Sequence, residues 1–161
     1  MMIGFMLNAQ SLREKGDAIY DKGESDSAAE MYSQCMKTDD NCLLKYTDLV
    51  LRKNVESEML NELFSLLSSL AEKDDPEAQF YLGEMYSYGD GVTIDYTEAI
   101  KWFQKSDGKY ESESLYKLGF MYEKGCGVAK NNSEAMKWYQ KAAEQGNEFA
   151  KKALERLSGI L

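Results

Sequence analysis

Apolar residues recur along most of this chain at the spacing of amphipathic helices. Leu82 and Tyr86 are four residues apart, and Leu118 and Tyr122 repeat that spacing, so each pair lies on one helix face. The only proline is Pro76, so almost nothing in the chain interrupts a helix. The pattern predicts an all-α protein of about nine helices.

The strongest signal in the chain is an internal repeat. Residues 78–105 recur at 114–141, a shift of 36 positions at which at least twelve residues are identical. Agreement of that density at one offset marks a repeated structural unit. Each copy predicts two helices joined by a Gly-x-Gly-Val turn, because the glycines allow the positive φ that ends a helix tightly. One unit cannot bury its own apolar stripe, so we expect stacked units.

Glycine and tryptophan positions indicate how the helices of a unit pack. Gly83 and Gly119 lie inside the predicted first helices, where glycine costs about 1 kcal/mol relative to alanine. That cost is acceptable where the absent side chain lets a second helix cross closely. The second helices carry the adjacent aromatic residues Trp102-Phe103 and Trp138-Tyr139 at equivalent positions, and we expect these rings to fill the space between helix pairs.

Helix starts are marked by residues that cap backbone N–H groups. In the first copy Asp95 or Thr97 caps the second helix, and in the second copy Asn131 or Ser133 does so. Pro76 follows two aspartates and occupies the first position of a helix, where its missing N–H has no cost.

The repeat resembles a known family, the Sel-one-like repeat (SLR), a relative of the tetratricopeptide repeat. The shared pattern is A-x-x-x-L-G-x-M-Y-x-x-G-x-G-V-x-x-D-x-x-x-A-x-x-W-x-x-K, and it covers residues 75–146. The resemblance implies a right-handed α-solenoid of antiparallel helix pairs that serves as a scaffold for protein–protein interaction.

The amino-terminal half carries a weaker pattern whose spacings resemble one tetratricopeptide repeat, with helices near 9–22 and 25–38 and Ser25 or Asp26 as a cap. We therefore predict a single solenoid domain over residues 1–161. Its expected parts are a tetratricopeptide-like helix pair at 9–40, a degenerate helix pair at 42–73, a first SLR at 75–110, a second SLR at 111–146 and a C-terminal capping helix at 147–161.

In a solenoid of this type the first helices of the pairs line the concave face, and the positions that point into it can be counted from the Leu-Gly landmark. The expected partner-binding residues are Arg13, Asp17, Tyr20, Phe80, Glu84, Ser87, Tyr88, Tyr116, Phe120, Glu123, Lys124, Lys152 and Arg156. Aromatic residues mixed with charges suit a peptide- or protein-binding groove. The alternative for Phe80 and Phe120 is that they pack against neighbouring helices.

Composition restricts the chemistry that is available. The chain has no histidine, which is the side chain best suited to proton transfer near neutral pH and the commonest metal ligand. Histidine-based triads and zinc sites with a histidine ligand are excluded, whereas an enzyme using carboxylate, Lys, Cys or Tyr is not. No catalytic, metal-binding or cofactor-binding constellation stands out, so we predict a non-enzymatic protein without a cofactor.

Charge is unevenly distributed. The net charge of −9 divides into −7 for residues 1–75 and −2 for residues 76–161. This balance disfavours nucleic acid and anionic membranes as partners. The acidic half fits attraction to a basic partner protein, and the alternative is a solvated acidic surface that keeps a monomer in solution.

Three cysteines, Cys35, Cys42 and Cys126, bear on the compartment. An odd number of cysteines and an apolar start too short for a secretory signal fit reduced thiols in the cytoplasm. We expect Cys35 and Cys42 to be buried free thiols, with a redox pair as the alternative. No apolar run is long enough to span a membrane.

These observations favour an adaptor that binds a partner protein or peptide through the concave face. A narrower version is an immunity-type inhibitor of a bacterial toxin, since small acidic proteins suit that task. An alternative of another class is a β-lactam-binding or hydrolysing enzyme, as linked to cysteine-rich relatives of the repeat. We disfavour it because those relatives carry a cysteine pair in each unit, whereas the repeats here contain only Cys126.

Overall fold

The computed structural model of the chain describes residues 8–51 and 57–159, and every regular element in these ranges is helical. The apolar start at residues 1–7, which we expect to be frayed or to plug the first helix pair, lies outside the described residues. The helices are α1 (Ala9–Tyr20), α2 (Ser25–Cys35), α3 (Asp40–Leu51), α4 (Ser57–Ala71), α5 (Pro76–Tyr88), α6 (Tyr96–Lys105), α7 (Glu111–Lys124), α8 (Asn132–Glu144) and α9 (Glu148–Leu157), with a 3₁₀ turn at Gly108–Tyr110. The prediction of an all-α chain of about nine helices is confirmed.

Two compact units make up the chain. Unit 1 is Met1–Leu66 and unit 2 is Leu67–Leu161, so the boundary falls inside α4. The single-domain organisation expected from the sequence stays a prediction.

In unit 1, the helix pair α1 and α2 packs through a glycine. A Cβ atom on Gly16 would lie 2.5 Å from the ring of Tyr32, so only glycine lets the buried tyrosine approach α1 this closely. The predicted caps of α2 are not observed, because Glu24 is its N-cap residue and makes no side-chain cap bond.

A disulfide joins Cys35 and Cys42 in unit 1, with their Cα atoms 5.8 Å apart. The expectation of free thiols was therefore wrong for this pair. The reason lies in the helix ends: α2 stops at Cys35, earlier than the predicted residue 38, and Cys42 lies in the first turn of α3. The short turn between them brings both buried side chains together. The bond removes the thiol argument for a cytoplasmic location, which stays a prediction, since disulfides persist mainly in oxidising compartments.

In unit 2, α5 packs on α6 and α7 packs on α8 through the two glycines singled out in the sequence. A Cβ atom on Gly83 would lie 2.6 Å from the ring of Phe103, and one on Gly119 would lie 2.5 Å from the ring of Tyr139. The buried rings thus follow the tryptophans by one residue, while Trp102 and Trp138 themselves are only half buried.

The turn and cap residues of both repeats follow the sequence pattern. Gly89 and Gly125 end α5 and α7 in the left-handed conformation, with φ of 81° and 80°. The side chain of Asp95 accepts hydrogen bonds from two N–H groups at the start of α6, and the side chain of Asn131 accepts one, from the N–H of Glu134 in α8. Asp95 and Asn131, rather than Thr97 and its counterpart, are therefore the caps.

The second repeat is held against its neighbours on both sides. Its turn packs on the start of α6, because a Cβ atom on Gly127 would lie 2.7 Å from that of Tyr96. On the other side, Asn147 caps α9 and its Nδ2 also donates to the carbonyl of Ser112 at 3.2 Å. α9 therefore covers the apolar side of the second repeat, as a capping helix should.

Candidate interaction face

The first helices of unit 2 lie side by side. Lys117 on α7 forms an ion pair with Glu84 on α5, with Nζ 2.7 Å from Oε1. Arg156 on α9 forms an ion pair with Glu123 on α7, with Nη2 2.6 Å from Oε2. We give the name first-helix face to the exposed and half-buried side chains on the side of α5, α7 and α9 that carries these ion pairs. Its members are Glu84, Tyr88, Tyr116, Lys117, Phe120, Lys124, Phe149, Lys152 and Arg156.

The 36-residue repeat explains why these side chains share one face. Glu84, Phe120 and Arg156 are 36 residues apart and occupy equivalent positions on α5, α7 and α9. Tyr88 and Lys124 are related in the same way. Equivalent positions on stacked repeats project in the same direction, so a row along the solenoid is read off the sequence at this period.

Three large aromatic side chains on this face are exposed to solvent. The exposed fraction is 62% for Tyr88, 42% for Phe120 and 67% for Phe149, one residue on each of the three helices. The ring of Phe149 lies 5.9 Å from that of Tyr116 between centroids. Phe149 was not among the binding residues expected from the sequence. It follows the Asn147 cap by two residues and therefore lies in the first turn of α9.

Lys117 organises the side of the face that lies between α5 and α7. Its Nζ donates to the hydroxyl of Tyr88 at 3.0 Å and lies 5.1 Å from the centre of that ring. Burial alone would lower the pKa of Lys117, but the Glu84 carboxylate outweighs burial and raises the pKa above its usual range. Lys117 is therefore a fixed cation that holds the exposed tyrosine in place.

Glu123 organises the other side of the face from beneath. It is only 4% exposed, and its carboxylate accepts hydrogen bonds from Arg156 at 2.6 Å, Lys124 at 2.8 Å and the hydroxyl of Tyr139 at 2.9 Å. Burial would raise its pKa, but these donors lower the pKa to about 2. Glu123 was expected on the groove surface and instead anchors two surface cations from the interior.

Two other predicted groove residues of unit 2 make internal contacts. Phe80 is 8% exposed and stacks on Tyr110, with ring centroids 4.6 Å apart. Phe80 therefore packs inside the protein, which is the alternative that the sequence left open for it. The hydroxyl of Ser87, which is half buried, donates to the carbonyl of Gly83 at 2.7 Å within α5.

The predicted residues of unit 1 lie on α1. Arg13 pairs with Asp39, with Nη1 2.8 Å from Oδ2. Asp17 accepts from the hydroxyl of Tyr32 at 2.7 Å and from Lys45, and these contacts outweigh burial and lower its pKa. Both side chains thus tie α1 to the rest of unit 1.

Tyr20, the third predicted residue of α1, is exposed. It therefore has the accessibility expected of a binding residue, and it belongs to unit 1 rather than to the first-helix face.

Residues 8–51 and 57–159 contain neither a metal-binding cluster nor a membrane-spanning helix. Within these ranges no group of three or more Cys, Asp or Glu side chains is arranged to hold a metal ion. None of the helices described there is long and apolar enough to cross a membrane. Cys126, in the Gly-Cys-Gly turn of the second repeat, is a half-buried free thiol.

The repeated helix pairs match a known family model. The model, described as Sel1 repeat, matches residues 76–106 and 112–147, which contain α5–α6 and α7–α8. The helix pairs α5–α6 and α7–α8 are thus two Sel1 repeats. Sel1-repeat proteins generally act as non-enzymatic scaffolds for protein–protein interaction. No curated protein matches the chain significantly.

Solved Sel1-repeat structures resemble the whole chain. A Sel1 repeat protein from Oxalobacter formigenes is 25% identical with a TM-score of 0.73, and the match covers 97% of this chain and 66% of that one. A protective antigen with an SLR fold, present in uropathogenic Escherichia coli strains, is 30% identical with a TM-score of 0.76, covering 96% of this chain and 34% of that one. The chain thus spans about two thirds of the first protein and one third of the second.

For a third solved structure, the match covers nearly the whole length of that protein. Cysteine rich protein B of Helicobacter pylori is 26% identical with a TM-score of 0.54, and the match covers 86% of this chain and 95% of that one. Together these structures confirm the predicted fold class, an α-solenoid of antiparallel helix pairs.

Proposed function

We propose that this Sel1-repeat chain is a non-enzymatic adaptor that binds one partner protein or peptide across the first-helix face. The observation that supports it most is the exposure of Tyr88, Phe120 and Phe149 on three neighbouring helices. Large apolar side chains that are exposed together mark interaction surfaces, because their removal from water on binding is favourable.

The polar groups around these rings suit selective binding. Lys117 holds Tyr88 through its hydroxyl, so this ring loses little further freedom when a partner covers it. Arg156 and the tyrosines are residue types that dominate the energetics of many interfaces. The face thus combines aromatic side chains that give affinity with charged groups that select among partners.

Several narrower expectations belong to the same proposal. The acidity of residues 1–75 favours a basic partner for that half of the chain. An immunity-type inhibitor is one form of such an adaptor. We also propose that the chain works as a monomer, whereas the cytoplasmic location expected from the sequence stays a prediction against which the Cys35–Cys42 disulfide argues.

The test compares capture of partners by matched variants. We would couple the full chain, the double variant Tyr88→Ala/Phe120→Ala and the control Ile94→Ala to beads and incubate each with lysate of the source cells. Ile94 is half exposed but lies in the turn between α5 and α6. We expect at least one protein that binds the native chain and the control and is lost from the double variant. Circular dichroism spectra would establish that all three chains are folded.

A photoactivatable phenylalanine analogue at position 120 then locates the contact. We expect it to crosslink the captured protein, whereas the same analogue at position 94 does not. Equal capture by the native chain and the double variant would contradict binding through this face, and so would crosslinking only from position 94.

A further inference from the structure

The charge of the first-helix face differs from that of the chain as a whole. The net charge of the chain is −9, yet on the α7–α9 side of the face Lys124 and Arg156 share one buried carboxylate, Glu123, and the exposed Lys152 lies near Arg156 on α9. Lys152 is exposed and precedes Arg156 by four residues, so the two share one side of α9. When Lys151 and the exposed carboxylates beside Lys152, Glu148 and Glu155, are included, four cations stand against three carboxylates, so this region has one positive charge in excess.

The Glu123 carboxylate already accepts hydrogen bonds from three side chains of the chain itself. Both oxygens of Glu123 accept hydrogen bonds, and the carboxylate is buried beneath the surface that a partner would touch. The side chains of Lys124 and Arg156 are still half exposed. A lysine has three N–H donors and an arginine has five, so one bond from each to Glu123 leaves donors for a ligand. Glu123 thus positions two cations without cancelling them.

Most acidic groups of α7 and α9 lie near the starts of these helices. α7 and α9 run parallel, because Tyr116 meets Phe149 near their starts and Glu123 meets Arg156 near their ends. Acidic residues lie in the first turn of each helix, while the cations follow toward the carboxyl ends. Glu155 follows Lys152 by three residues and is therefore its neighbour on α9.

The α5–α7 side of the face does not share this excess. There Lys117 pairs with Glu84, and both side chains are mostly covered. An anionic ligand is therefore attracted to the α7–α9 side in particular.

Apolar surface adjoins the cations. Nζ of Lys124 lies 5.6 Å from the centre of the Phe120 ring, and the exposed ring of Phe149 lies one turn before Lys152 on α9. A ligand on this surface meets a positive group and an aromatic ring within one helical turn.

We propose, building on the adaptor function above, that the α7–α9 side of the first-helix face binds a linear acidic segment of the partner protein, in which Asp or Glu stands next to an aromatic or large aliphatic residue. The carboxylates pair with Lys124, Lys152 and Arg156, and the apolar side chain covers Phe120 and Phe149. Charge-assisted hydrogen bonds set the orientation of the segment, and burial of the rings provides most of the affinity.

The test starts from a library of random linear peptides displayed on phage and selected on the full chain. We expect the recovered peptides to be enriched in Asp and Glu next to Phe, Trp or Leu. One labelled peptide is then titrated by fluorescence anisotropy against Lys152→Glu and Phe149→Ser. We expect each variant to weaken binding by at least about tenfold, the scale of losing one important interface residue.

Matched controls place the same changes away from the face. Lys141→Glu alters an exposed lysine of α8, and Ile94→Ser alters an exposed apolar residue of the α5–α6 turn. Both are expected to bind the peptide like the native chain. Affinity for the native chain should also fall as salt is added, because the recognised charges are exposed.

Four outcomes would overturn the inference. Enrichment of Lys- and Arg-rich peptides whose binding needs Phe149 would leave the adaptor function standing with the opposite partner chemistry. Acidic peptides that bind Lys152→Glu normally would place their site elsewhere, and no enrichment at all would exclude a linear segment. Self-association that Lys152→Glu abolishes would identify a second copy of this chain as the occupant.

Discussion

Single residues decide how closely the helices of each Sel1 repeat approach. Gly83 and Gly119 have no side chain where Phe103 and Tyr139 cross the first helix, and this contact repeats at the 36-residue period. The sequence predicts close helix packing at both glycines, because glycine inside a helix is unfavourable unless a close contact requires it. Both aromatic residues of each second helix were expected to fill the core, and Phe103 and Tyr139 do so, whereas Trp102 and Trp138 are only half buried, since spacing alone does not distinguish two adjacent aromatic residues.

Gly83→Ala tests this contact. Alanine favours a helix by about 1 kcal/mol over glycine, but its Cβ would lie 2.6 Å from the Phe103 ring, which forces the buried ring to move. We expect a net loss of about 1–3 kcal/mol in the free energy of unfolding, as for other overpacked cores, measured by urea denaturation. The control is Gly83→Ala combined with Phe103→Leu, in which part of the clash is relieved. Equal losses in both backgrounds would contradict the close contact.

Glu123 predicts a defined pH dependence. Its pKa is about 2 in the folded chain and near 4.5 in an unfolded one. Below pH 4.5 the unfolded state takes up a proton that the folded state does not, so the stabilisation by Glu123 is complete above that pH and is lost as the pH falls toward 2. This difference in pKa contributes at most about 3 kcal/mol to the free energy of unfolding.

Urea denaturation of the native chain and Glu123→Gln between pH 6 and 2 measures this effect. We expect the native chain to be more stable at pH 6, and the difference to shrink as the pH approaches 2. The control Glu113→Gln changes an exposed glutamate of the same helix and should follow the native curve. A constant difference between native and Glu123→Gln would rule out the depressed pKa.

At the scale of helices, the positions of the helix ends were predicted well in the repeats and less well in the amino-terminal half. The repeat pattern located α5 to α8, and residues with strong local preferences, such as Pro76, Asp95 and Asn131, lie at the predicted helix starts. In the amino-terminal half such residues are fewer, and α2 ends three residues before the predicted position 38. Residues 36–38 therefore form a turn rather than helix, which explains why free thiols were expected in preference to a Cys35–Cys42 pair.

The disulfide predicts how the turn between α2 and α3 contributes to stability. A bond that closes a loop this short stabilises by about 2–3 kcal/mol, since it restricts the unfolded chain. We expect Cys35→Ser/Cys42→Ser to lower the urea midpoint, whereas Cys126→Ser does not. Thiol alkylation followed by mass spectrometry should label one cysteine in the unfolded native chain and three after reduction. Three labels without reductant would show that the bond is absent.

At the scale of the molecule, fold class and repeat number followed from the sequence because they depend on a period. The location of charge within the face did not, because it depends on which carboxylates are buried. Glu123 was expected among the surface residues, yet it lies beneath Lys124 and Arg156. The net charge of the chain consequently favours a basic partner, whereas the α7–α9 side of the first-helix face carries an excess of cations.

The same net charge predicts the oligomeric state. A chain of 18.3 kDa with a net charge of −9 repels its own copies at low ionic strength. We expect light scattering coupled to size exclusion to give the mass of one chain at low salt, and the same mass for Lys141→Glu as a control of altered charge. A mass near twice that value in either chain would contradict a monomer.

The packing of Gly127 on Tyr96 sets a rule for how the length of this chain can change. The contact joins the turn of one repeat to the second helix of the repeat before it, so it forms only when matching positions are one period apart. Duplicating 36 residues recreates the junction, whereas a change of a few residues within a helix breaks it. Genes for such arrays can therefore lengthen by whole repeats while each junction keeps its geometry.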